Sequence, residues 1–348
     1  MVLKLLRALT PLCLVVAAPT YAAGPIELLF VGDVSFAGRR PPRAAYPSSA
    51  ENPLRHFAAR FAAADLAIAN GEGLLVETPP ASYAEARLDI GASPRWAHAY
   101  KDAGIDLVGL ANNHSWDSGT GGVLENRRHL DATGVAVYGA GPTGDAATAP
   151  YRLRHGEACH VAIVPATLKS NRPPKGGAAV AFYPGGEGIS RLTAQVSALV
   201  REGCFVIVSV HWGREGVPLP PSDVVRAGHA LVDAGASVVV GHHPHVLQGV
   251  EFYQGGVIAY SLGNYVFVNR AIEKRRTGVL SLRIADVGGR PALDRIALIP
   301  ALIHPSDFSP RPATTAETTA LVKVLASGSQ KFGTRVSQDG DLITFKAP

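Results

Sequence analysis

Several short stretches of this 348-residue chain bring imidazole, carboxylate and amide groups together at spacings that suit metal coordination. The densest is Gly241-His242-His243-Pro244-His245, which follows Val238-Val239-Val240, a β-branched run that reads as a buried strand. Its imidazoles therefore belong at a strand's carboxyl end. Pro244 biases His243 to extended backbone, in which residues two apart share a side, so His243 and His245 are expected to aim at one point and His242 away from it. Polar residues follow four other expected strands: Asp33 after residues 26–31, Asn70 and Glu72 after 65–69, Asn113, His114 and Asp117 after 105–111, and His211, Arg214 and Glu215 after 204–210. This mixture of donors suits Mn, Zn or Fe and is rich enough for one or two ions. Two ions about 3.5 to 4 Å apart can hold a phosphate-like group and activate a hydroxide for in-line attack.

The elements that must position these groups alternate strand, loop and helix from Pro25 onward, which argues an α/β fold with helices outside the sheets. Helices are expected from Pro53 with Asn52 as cap, from Ser93 to Ala103, and over residues 121–132, 189–201 and 222–235. In such folds ligands bind beyond the carboxyl ends of strands, and each polar stretch above lies on that rim. Residues 169–188, with Pro173, Pro174 and several glycines, read as a mobile loop. Residues 25–305 form the main domain. The segment 306–348, with a helix over 315–323 and a hairpin over 335–345 turning at Asp339-Gly340, reads as an appended edge.

Hydrophobic residues at 47% and charged residues at 18% describe a globular chain and exclude a disordered one. Residues 1–23 run from a basic start through a short apolar core to small residues, the pattern of a secretory signal cleaved after Ala22 or Ala23. The expected location is therefore periplasmic or extracellular. Without Lys4 and Arg7 the formal charge falls from +5 to about +3, too mild to call for a nucleic-acid partner. Arg39, Arg40 and Arg214 are instead candidate contacts to an anionic substrate. Cys159 and Cys204 each open an apolar run; if those strands are parallel neighbours, an exported chain can close a disulfide there or keep two buried thiols.

In order along the chain, Gly32-Asp33, Asn70-Gly71-Glu72, Ala111-Asn112-Asn113-His114 with Asp117, His211-Trp212-Gly213, Gly241-His242-His243-Pro244-His245-Val246 and Tyr260-Ser261-Leu262-Gly263-Asn264 resemble the poly-γ-glutamate capsule biosynthesis family of the CapA type. The resemblance covers about residues 26–270. It implies a calcineurin-like metallophosphoesterase fold, a two-sheet β-sandwich flanked by helices in four layers, αββα. By that resemblance Asp33, Glu72, Asn113, His211, His243 and His245 look like metal ligands, with Glu72 in the place of a bridging carboxylate. His114, with Asp117, looks like the acid that protonates a leaving group. Asn70, Glu215, His242, Asn264, Arg39 and Arg214 are expected around the site or on its substrate side. One departure is plain: metallophosphoesterases usually place a histidine two residues after the first aspartate, and here that residue is Ser35. The implied function is a metal-dependent hydrolase or transferase acting on an anionic polymer or phosphoester, with other capsule synthesis or export components as partners. The alternative is a non-catalytic binding component of a capsule assembly or export complex.

Overall fold

The computed structural model describes residues 24–37, 51–77, 90–155, 158–172 and 179–348. The expected signal segment, Arg39 and Arg40 lie outside the described residues. Among the described residues, no helix is long and apolar enough to cross a membrane.

Two sheets carry the architecture. The first contains ten strands, with a central parallel set formed by Ile26–Val34, Leu66–Gly71, Leu107–Gly109 and Ala136–Tyr138. The second contains six, of which Ala158–Thr167, Phe205–His211, Val238–His242 and Gly256–Ala259 are parallel neighbours. Side chains alternate across a strand, and the alternation sorts the core into layers. Leu28, Phe30, Ile68, Ile163, Phe205, Ile207, Val238 and Val240 meet between the sheets in one cluster. Their neighbours Leu29 and Val31 turn outward onto Phe61, Tyr100 and Val123 of the helices Ala58–Ala63, Ala97–Asp102 and Gly119–Asp131. On the other side, Val206, Val208 and Val239 pack on Leu192, Val196 and Leu199 of Gly185–Arg201 and on Leu231 of Ser222–Asp233. Strands covered on both faces are apolar without a break, which is why these runs read as buried in the sequence. The four layers, helix, sheet, sheet, helix, match the expected arrangement.

Several expectations about elements change. The helix begun near Pro53 is a 3₁₀ turn, Arg55–Phe57, followed by Ala58–Ala63, and the Asn52 side chain accepts from the Leu54 amide at 3.0 Å. Ser93 makes no capping bond. The longest strands, Arg276–Val287 and Arg290–Ile303, form an antiparallel hairpin that the sequence reading did not include, although Gly288-Gly289, both at positive φ, is the turn signal between two apolar runs.

The C-terminal helix runs Thr315–Ser329, beyond its expected end at Lys323, and is capped by Thr314 and Glu317 in a capping box. Its Leu321 and Leu325, with Ile343 and Phe345 of the last strand, join the cluster between the sheets. Residues 306–348 thus extend one sheet edge and close the side of the sandwich.

Cys204 is disulfide-bonded, and the strands of Cys159 and Cys204 are parallel neighbours as that pairing requires. The Cys159 side chain lies outside the described residues.

Candidate metal centre

The site lies where the carboxyl ends of strands from both sheets meet. Asp33, Asn70 and Asn264 are register neighbours in the first sheet, and His211 and His242 are register neighbours in the second. Backbone crowding there explains the glycines before the chemistry. A Cβ on Gly32 would fall 2.1 Å from the Gly263 carbonyl oxygen, and one on Gly241 would fall 2.0 Å from that of Tyr260. The register also shifts between Val31 and Asp33, an irregularity of the kind that re-aims a side chain beside a functional site.

Asp33 is the electrostatic hub. Its Oδ1 accepts from Asn70 Nδ2 at 2.8 Å and lies 3.5 Å from His242 Nδ1. Its Oδ2 lies 3.1 Å from His245 Nδ1 and accepts from the His243 amide at 3.3 Å. Burial alone would raise the Asp33 carboxyl, but the neighbouring imidazoles of His242 and His245 and the charge of His245 outweigh it and hold it well below the usual carboxylate range. Conversely, burial alone would lower His245, whereas Glu72 and Asp33 raise it to about 9. Asn264 Oδ1 faces His245 Nδ1 at 2.9 Å, and its Nδ2 donates to the Lys274 carbonyl at 2.9 Å, so the ring is held with Nε2 toward Glu72 at 3.4 Å.

Glu72 is the opposite case. It is 1% exposed, and neither carboxylate oxygen has a hydrogen-bond partner. Burial, with Asp33 nearby, pushes it well above the usual range, opposed only by His245. Two sets of donors share it: Asp33, Glu72 and His245, and Glu72, His211 and His243, with the ligand atoms of each set within 4.8 Å of one another. His211 Nε2 lies 2.7 Å from Asn113 Oδ1, which puts the expected amide ligand beside the second set. Burial lowers His211, and it lowers His243 to about 4, with the charge of His245 adding to the effect on His243; both are neutral imidazoles at pH 7. Buried His243 Nδ1 has no hydrogen-bond partner. A buried carboxylate and imidazole without partners are costly unless a cation completes them. Carboxylate, imidazole and amide donors in these sets fit a divalent ion.

His114 sits at the side of this cluster. Its Nδ1 is 2.6 Å from Asp117 Oδ2, and its Nε2 is 3.9 Å from Glu72 Oε1. Burial raises Asp117 to about 7 against the opposing effects of Asn171 and Arg172. Asn171 was not among the expected site residues. Its amide is 3.1 Å from Asn113 Nδ2 through Oδ1 and 3.0 Å from His114 Nδ1 through Nδ2, and its backbone N–H donates to the Asn113 carbonyl. Nothing in the composition of the expected mobile loop marks it, because the docking comes from Thr167 and Leu168 bonding to the His211 carbonyl on the neighbouring strand. Residues 169–172 are therefore part of the site; residues 173–178 lie outside the described residues.

The histidine loop departs from the extended backbone expected of it. His243 and His245 have φ of 96° and 57°, in the left-handed region, and their ring centroids are 6.0 Å apart. They converge through this strained turn and not through strand alternation, and left-handed backbone outside glycine clusters at functional sites. His242, the last residue of its strand, faces Asp33. Arg214 and Glu215 lie exposed on the turn after His211.

The profile described as "Bacterial capsule synthesis protein PGA_cap" matches residues 27–269. The chain is similar to "PGA biosynthesis protein CapA" of Bacillus subtilis, 26% identical over 325 residues, covering 93% of this chain and 83% of that protein. It is similar to "Capsule biosynthesis protein CapA" of Bacillus anthracis, 28% identical over 301 residues, covering 84% and 70%. Among solved structures, it aligns with the calcineurin-like phosphoesterase YfkN from Bacillus subtilis at a TM-score of 0.45 and 12% identity, over 89% of this chain and 97% of that one.

Proposed function

The chain belongs to the bacterial capsule synthesis family PGA_cap, and from that premise we propose that it is an exported metal-dependent hydrolase or transferase acting on an anionic polymer or phosphoester during capsule formation. The observation that carries the reading is Glu72, a buried carboxylate with two unpartnered oxygens, shared by two sets of metal-ligating side chains. Asp33, Glu72 and His245 would hold one ion, and Glu72, Asn113, His211 and His243 a second. A bound Mn, Zn or Fe would supply Lewis acidity and an activated water.

The chain's own residues do the rest. Asp33 orients His242 and His245, and Asn264 fixes which nitrogen of His245 faces Glu72. Asp117 as a carboxylate accepts a hydrogen bond from Nδ1–H of His114, which orients the ring so that Nε2 carries the proton destined for the leaving group. Asn171, bonded to Asn113 through its side chain and its backbone, lies beside that ring and helps to hold it among the ligands. The basic and apolar pattern of residues 1–23 supports export and work outside the cytoplasm, with cleavage near Ala22 or Ala23. The names of the relatives support poly-γ-glutamate capsule material as the context and other capsule components as partners.

A second reading, a non-catalytic component of a capsule assembly or export complex, draws on Ser35, whose hydroxyl accepts from the Ala37 amide where a ligand histidine would be expected. A screen of phosphomonoesters and phosphodiesters, run with Mn or Zn supplied, separates the two. Turnover that a chelator abolishes is expected; a metal-loaded chain without turnover on these esters or on isolated capsule polymer would leave the binding role.

A further inference from the structure

The set Asp33, Glu72 and His245 has three donors, and the residue that would furnish a fourth is Ser35. A carboxylate from the other sheet approaches His245 of that set, together with His243. The turn after Phe205–His211 is fastened to the histidine loop at both ends: the Trp212 amide donates to the His242 carbonyl at 3.1 Å, and the Gly216 amide donates to the Pro244 carbonyl at 2.8 Å. Gly213 and Gly216, at φ of 85° and 71°, bend the chain on either side of Arg214 and Glu215. The result sets a carboxylate oxygen of Glu215 and one ring nitrogen each of His243 and His245 within 4.8 Å of one another. His243, 7% exposed, also has an Nδ1 without a hydrogen-bond partner.

We infer that Glu215 is a metal ligand of this chain, supplying from the second sheet the donor that Ser35 does not supply from the first. The inference rests on the metal reading above and adds a residue to it. The geometry separates Glu215 from the other ligands in one respect: Asp33, Glu72, His211, His243 and His245 are buried, whereas Glu215 is exposed at the mouth of the site. A ligand there closes the coordination from the solvent side.

Calorimetric titration of the chelator-stripped full chain with Mn²⁺ tests this without reference to turnover. Glu215→Gln keeps the size and polarity of the side chain, and a single cooperative unfolding transition of the metal-free variant establishes that it is folded. The Mn²⁺ dissociation constant should rise at least tenfold, the lower end of what even an indirect metal contact is worth. Equal affinity in wild type and Glu215→Gln overturns the inference while leaving the buried ligands standing. A wild-type chain that takes up no Mn²⁺ overturns the metal reading itself.

Discussion

Replacing Glu72 with glutamine is expected to raise the stability of the metal-free protein and to abolish the stabilisation that metal confers on the wild type. Glu72 is buried with both oxygens unpartnered, so in the absence of an ion its charge opposes folding. The variant replaces a buried charge by a neutral amide that costs less to bury, read as a higher urea midpoint. With metal in hundredfold excess over its dissociation constant, the wild type should instead gain about 2.7 kcal/mol, and the variant should gain little because both ligand sets lose a member. The pH dependence follows from the raised Glu72. A carboxyl whose folded-state value lies above its unfolded value binds its proton more tightly when folded. The stability of the metal-free wild type is therefore full below the ordinary carboxylate range and declines as pH rises through it toward the higher range of Glu72. The glutamine variant lacks that component of the decline, and bound metal removes it by taking the proton's place. Identical metal-induced shifts in wild type and Glu72→Gln would contradict this assignment.

His114→Gln should lower kcat on a hydrolysed ester by about 10²- to 10⁴-fold, the usual worth of a positioned acid, with metal content unchanged. Metal content should be insensitive because neither of the two Glu72-centred ligand sets includes His114, whose Nε2 stands 3.9 Å from Glu72. Asp117→Asn should lower kcat by a smaller factor, since an amide can preserve the 2.6 Å contact that orients the ring but cannot stabilise its charge. A His114→Gln protein with wild-type kcat and full metal content would assign the leaving-group proton to another donor.

The parts of this centre that were legible in the sequence are those fixed by strand ends. Asp33, Glu72, Asn113, His211 and the histidine loop each follow a β-branched or apolar run, and parallel strands buried on both faces bring their carboxyl ends to one rim. Less legible was anything decided by tertiary backbone contact. The left-handed turns at His243 and His245 depend on how that loop meets Asp33 and Trp212, which local preference before proline does not encode. Asn171 reaches the site only because the strand that ends at Thr167 lies beside His211, and its own surroundings in the sequence resemble any polar loop. The hairpin 276–303 carried a readable Gly288-Gly289 turn but no chemistry to draw attention to it.

The central claim is that Glu72 and the surrounding histidines hold a divalent ion. Elemental mass spectrometry of the purified chain, loaded with Mn²⁺ or Zn²⁺ and freed of unbound ion by gel filtration, tests it most directly. At least one equivalent per wild-type chain, lost together in Glu72→Gln and His243→Ala, is the predicted result. Metal-free wild-type protein after loading, or equal retention in both variants, would contradict it.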